Sequence, residues 1–101
     1  MFVYNITFKV EHEILKDWME WQKKVQIPDI LETGCFYEHR FYELMDLDEP
    51  DGRTFVIQFL APSKSDYNRY HHIYGEALRH RAIEKWHDRV VSFRTLLKNV
   101  E

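Results

Sequence analysis

Residues 2–10 alternate with the period of a β-strand. Phe2, Tyr4, Ile6, Phe8 and Val10 share one face, and Val3, Asn5, Thr7 and Lys9 share the other. From about Glu13 the period lengthens. Ile14, Leu15, Trp18, Gln22 and Val25 fall on one helical stripe, while Glu13, Lys16, Asp17, Glu20, Lys23 and Lys24 mostly take the wet side. Pro28 is expected to break or restart this helix, its ring pushing Gln26 and Ile27 out of helical geometry. A short helical turn, 28–32, then ends at Thr33-Gly34, where glycine suits the left-handed position past a helix end. Residues 35–46 read as a second strand rich in aromatics. Asp48 to Gly52 is a strong turn signal, and Thr54 to Leu60 forms a third strand, so the two strands make a hairpin. Ser63 or Ser65 is placed to cap the next helix, and Asp66 stands three residues after Ser63 in the manner of a capping box. Tyr67, Tyr70, Tyr74, Ala77 and Leu78 recur at helical spacing. Gly75 leaves open whether 64–86 is one helix or two. Val90 to Leu97 alternates again as a last strand.

This order, βαββαβ with two right-handed crossovers, predicts an α+β ferredoxin-like fold in one domain, 1–101. It is a four-stranded antiparallel sheet with both helices on one face. The covered face is assigned Phe2, Tyr4, Ile6 and Phe8, then Phe55, Ile57 and Phe59, then Val91, Phe93 and Leu97. The other face receives Val3, Asn5, Thr7 and Lys9, then Thr54, Val56, Gln58 and Leu60, then Val90, Ser92, Arg94 and Leu96. Strand two enters in either register, with His39 and Phe41 or with Arg40 and Tyr42 on that second face. Val3, Val56, Leu60, Val90 and Leu96 would form an exposed apolar patch, the mark of an interface. A homodimer packed sheet to sheet would bury it. Such a pair would enclose Asn5, Thr7, Gln58 and Arg94, the candidate ligand-binding residues, around a small polar cavity. The alternative is an interface whose polar groups bond to one another and to trapped water. Arg94, amid apolar neighbours, needs an acceptor. Glu38 or Glu43 across the dimer is one, and an anionic ligand is the other.

Composition narrows the function classes. With 14 basic against 17 acidic residues, the chain lacks the broad positive footprint of a nucleic-acid binder. No run approaches the ~18 apolar residues of a membrane span, and the N-terminus has no signal-peptide pattern. The single Cys35 cannot form an internal disulfide, which suits a reducing, cytoplasmic setting. Cys35 reads as a small buried hydrophobe, with His39 about 13 Å away along a strand. His72, Glu76, His80 and Glu84 succeed one another at i+4, but the stripe drifts by about 40° per step and cannot converge on one ion. A solvated face is predicted there, and no metal. His71 reads as a half-buried imidazole, and His12 and His87 fall at strand–helix junctions. Nothing identifies a histidine facing a porphyrin-sized cavity, so no cofactor is expected. Trp18, Trp21 and Trp86 read as core or interface anchors. The stretch Gly52 to Phe59 is superficially similar to an RNA-recognition strand, but its aromatic spacing is off by one and Phe55 and Phe59 point at the helices.

Val3–Thr7, Ile27–Phe36, Ser63–Tyr70, Ala77–Arg81, Lys85–Arg89 and Phe93–Thr95 together resemble the bacterial domain-of-unknown-function family 4286, over essentially the whole chain. The resemblance implies membership of the dimeric α/β barrel superfamily, in which two ferredoxin-like sheets close a barrel. It supplies no catalytic motif. Superfamily members include cofactor-free monooxygenases and ligand-sensing regulators, so the likeness does not choose a function. Two readings follow. The first is a non-catalytic dimeric module binding a small molecule or a protein. The second is a cofactor-free, oxygenase-like enzyme acting on a small apolar or aromatic compound.

Overall fold

The computed structural model describes residues 1–101. Strand β1 (Phe2–Glu11) leads through a 3₁₀ turn into helix α1 (Leu15–Trp21). A π-helical turn, Gln22–Gln26, passes into α2 (Ile27–Glu32). The hairpin follows as β2 (Glu38–Glu43) and β3 (Gly52–Ala61). The second helical arm runs as α3 (Lys64–Tyr70), a π turn at His71–Gly75 and α4 (Glu76–Trp86), and β4 (Val90–Lys98) closes the order. The sheet is antiparallel with the order β2-β3-β1-β4. This is the ferredoxin-like arrangement.

The local signals act as expected in several places. Ser63 caps α3, its hydroxyl accepting from the Asp66 N–H at 3.2 Å and donating to the Asp66 carboxylate at 2.7 Å. Gly34 takes φ +75 after α2. Gly52 answers a different demand, for a methyl group there would collide with the Val10 carbonyl oxygen. Pro28 departs from expectation. Gln26 and Ile27 stay helical at φ −69 and −60, and the chain passes through the proline unbroken. The π turn just upstream, with the Ile27 N–H donating to the Gln22 carbonyl, relieves the i→i−4 pairing that the missing N–H and the ring would disrupt. The 64–86 stretch is likewise one continuous helical arm, widened at 71–75.

The core lies between the sheet and both arms. Tyr4, Ile6, Phe8, Val10, Phe55, Ile57 and Phe59 meet Trp18, Ile27, Ile30, Tyr70 and Trp86 there. Cys35 and Phe36 join it from the loop before β2, which starts at Glu38 rather than at 35.

Strand β4 corrects the face assignment. Its pairing sets Tyr4 opposite Leu96, Ile6 opposite Arg94, Phe8 opposite Ser92 and Val10 opposite Val90, so these β4 residues lie on the helix side. Val91, Phe93 and Leu97, expected under the helices, lie on the open face and are 48%, 66% and 42% exposed. Side chains alternate strictly along a strand, so the register with β1 settles every one of them at once. Strand β2 pairs Arg40 with Gln58 and Tyr42 with Val56, bringing Arg40 and Tyr42 to the open face. Leu60 shares that face but is buried.

Candidate functional site

The open face carries three of the four anticipated ligand residues. Asn5 stands opposite Gln58, and the Gln58 amide N–H donates to Asn5 Oδ1 at 3.1 Å. Thr7 lies one step along the same face, opposite Val56. Arg94 is on the other side of the sheet, so the structure does not bring the four together.

Arg94 instead enters a cavity between the sheet and the helical arms. Its floor is apolar and deeply buried, with Ile6, Phe8, Ile57 and Phe59 from the sheet and Trp18, Ile30 and Trp86 from the helices. Its rim is polar and open, with Arg94 and Ser92 on β4, His87 at the end of α4 and half-buried Arg79 on α4. The enclosed space amounts to about 70 Å³ and opens to solvent at its mouth. A few waters fit the enclosed part, and an organic guest would extend out through the open mouth.

Two glutamines of the first arm face this cavity and differ in one respect. Gln26 is fully engaged. Its amide donates to the Leu78 carbonyl at 3.0 Å and accepts from Arg81, whose guanidinium also reaches Asp29 at 2.7 Å. This set ties α2 to α4. Gln22, 2% exposed, borders the cavity without taking part in that set. The Trp86 indole N–H, on the cavity wall, is buried without a partner. Buried polar groups are nearly always satisfied, so unmatched ones beside a void are suited to a guest or to ordered water. His87 adds backbone strain at the rim, with φ 52 and ψ −134, a region that favours glycine.

Two phenols sit beneath the rim. Burial raises the Tyr4 pKa above the usual phenol value, and the charge and hydrogen bonding of Arg94 offset this only in part. Burial, followed by the nearby Tyr4, pushes Tyr70 higher still. A raised folded-state pKa means stability that is complete below the unfolded phenol value of 10.0 and lost as pH rises through the folded one. In an alkaline absorbance titration two of the six tyrosines are therefore expected to ionise late, in step with unfolding. Six phenols titrating together in the folded chain would contradict the burial.

Of the other candidates, His80 Nε2 lies 3.0 Å from Glu84 Oε1 on an exposed face, and no three His, Cys, Asp or Glu side chains gather in a metal-holding group. Cys35 is buried. No helix is long and apolar enough to cross a membrane. The cavity residues Gln22, Arg79, Trp86 and His87 were not assembled from sequence. Gln22 alone left a signal, as a polar residue on the apolar stripe of the first helix.

The model of a family described as a domain of unknown function, DUF4286, matches residues 1–100. No curated protein matches the chain. Among solved structures, SnoaB, a cofactor-independent oxygenase from Streptomyces nogalater, is 12% identical with a TM-score of 0.68, over 99% of this chain and 94% of that one. A dimeric ferredoxin-like protein from an uncultured marine organism is 11% identical with a TM-score of 0.70, over 100% and 96%. An ethyl tert-butyl ether d (ethd) family protein from Bacillus halodurans is 12% identical with a TM-score of 0.68, over 99% and 100%. At these identities the likeness establishes the fold.

Proposed function

The chain belongs to the DUF4286 family, and from that premise we propose that it is a homodimeric, non-catalytic module binding a small, mostly apolar molecule in the cavity of each protomer. The observation that carries this reading is the Trp86 indole N–H, buried beside an apolar cavity with no protein partner. A side chain left so would cost on the order of 1–3 kcal/mol unless a guest or water bonds to it.

The open sheet face supports self-association. Phe93, Val91 and Leu97 join half-buried Val3 and Val56 there, an apolar patch that differs in its β4 members from the one the sequence suggested. A twin sheet packed on it buries that surface. In this reading Asn5, Thr7 and Gln58 belong to the interface between copies, Asn5 and Gln58 already bonded to each other, while Arg94 serves the cavity.

A second reading, a cofactor-free oxygenase-like enzyme, is favoured by His87, a proton acceptor at the same rim as Arg79 and Arg94. Such a set can take a proton from an electron-rich substrate and hold the resulting oxyanion. Native mass spectrometry of freshly purified protein tests the first reading. The expected species is twice the 12.5 kDa chain mass with up to one small molecule per chain, released on denaturation. A bare monomer would overturn it. The same preparation, given an electron-rich phenol, consumes no oxygen under the first reading and consumes it catalytically under the second.

A further inference from the structure

Resting on the pocket reading above, we infer that the guest is an amphipathic organic anion. Its oxyanion lies at the rim between Arg79 and Arg94, and its apolar body lies against Trp18 and Trp86. The argument starts from charge pairing across the whole molecule. The chain has seven arginines. Arg40, Arg53, Arg69, Arg81 and Arg89 each stand within ion-pair distance of a carboxylate. The two that pair with none, Arg79 and Arg94, are the two that line the cavity. Acidic residues outnumber basic ones in this chain, so a shortage of carboxylates does not explain the exception. No aspartate or glutamate lines the cavity at all.

Arg79 and Arg94 line one cavity together with the phenols of Tyr4 and Tyr70. A planar guanidinium binds an oxyanion through charge-assisted hydrogen bonds, stronger than those between neutral groups. The gradient of burial orients the guest. Trp18 and Gln22 at the floor are almost wholly shielded, while Arg94 and His87 at the rim are exposed, so the charged end stays near water and the apolar end goes in. Carboxylates and ionised phenols share this chemistry.

Benzoate and 2-naphthoate, each against its uncharged alcohol, are the probes, followed by calorimetry and by quenching of tryptophan emission from Trp18 and Trp86. The acids are expected to bind one per chain, about tenfold or more tighter than the alcohols. Arg79→Gln and Arg94→Gln should each remove most of that preference and leave the alcohols unaffected. Arg53→Gln, which alters only an exposed pair with Glu43 outside the cavity lining, should keep it. 2-Naphthol, compared below and above its own ionisation, separates a phenolate guest from a carboxylate one. Alcohols that bind and quench as well as the acids would overturn the anion inference and leave the pocket reading standing. Acids that bind equally well to both arginine variants would overturn it too. If no probe binds at millimolar concentration, the pocket reading falls, and this one with it.

Discussion

Replacing Phe93 by aspartate is expected to turn a dimer into a folded monomer. Phe93 is two-thirds exposed on a single protomer and stands in a row with Thr7, Val56 and Tyr42 across the open face. In a symmetric pair of sheets the same position occurs twice, so one substitution places two charges in the interface. A carboxylate buried there without a partner costs several kcal/mol, and each ~1.4 kcal/mol is a factor of ten in affinity. Association should therefore weaken by about a thousandfold or more. The helix-side core is untouched, so far-ultraviolet circular dichroism should be unchanged. Sedimentation equilibrium over a range of concentrations reads the result. A wild-type chain that stays monomeric at hundreds of micromolar, or a variant that stays dimeric, would sink the proposed interface.

Trp18→Ala is expected to give the largest loss of stability of any single change. Trp18 is 0% exposed, and its ring stands 5.2 Å from that of Phe8, 5.3 Å from Phe55 and 5.9 Å from Phe41. It holds α1 to three strands at once. Removing a buried tryptophan costs about 3–5 kcal/mol through lost transfer energy and the void left behind. Small domains have only about 5–15 kcal/mol in hand. For a chain of this length each kcal/mol lowers the melting temperature by about 4–8 °C. A fall of at least about 12 °C is expected in thermal unfolding followed by circular dichroism. Trp21→Ala should fall much less, because Trp21 is half-buried and packs edge-on against Trp86 at the margin of the core. Equal losses from the two would show that the core is not centred on Trp18.

The order of elements was legible because each rests on local chemistry. The alternation of β1 separates one wholly apolar face from a mixed one, and the Ser63 cap, the Gly34 helix end and the Asp48–Gly52 turn act over a few residues. The facing of β4 was not legible in the same way. Val90 and Leu96 on one side and Val91, Phe93 and Leu97 on the other are both apolar, so alternation gave the period without the phase. Pairing with β1, a long-range fact, supplied the phase. The two π turns left no pattern either, since a residue gained in a helix changes hydrogen bonding without requiring a particular side chain. The site followed suit. Arg94 drew notice as a cation among apolar neighbours, but on the wrong side of the sheet. Gln22, Arg79, Trp86 and His87 come from both arms, and no short spacing links Gln22 to the others.

Phe93 and Arg94 are consecutive on β4, and the strand sends one to each side. In the proposed dimer, a single ribbon of backbone thus forms part of the surface offered to the twin and part of the wall around the proposed guest. A guest that shifts this ribbon changes how well two chains fit, and a twin that fixes it changes how well the guest is held. Whatever energy links the two acts equally in both directions. Under that proposal, filling the first chamber of a pair would alter the affinity of the second, and cooperative uptake would be available to a chain of only 101 residues.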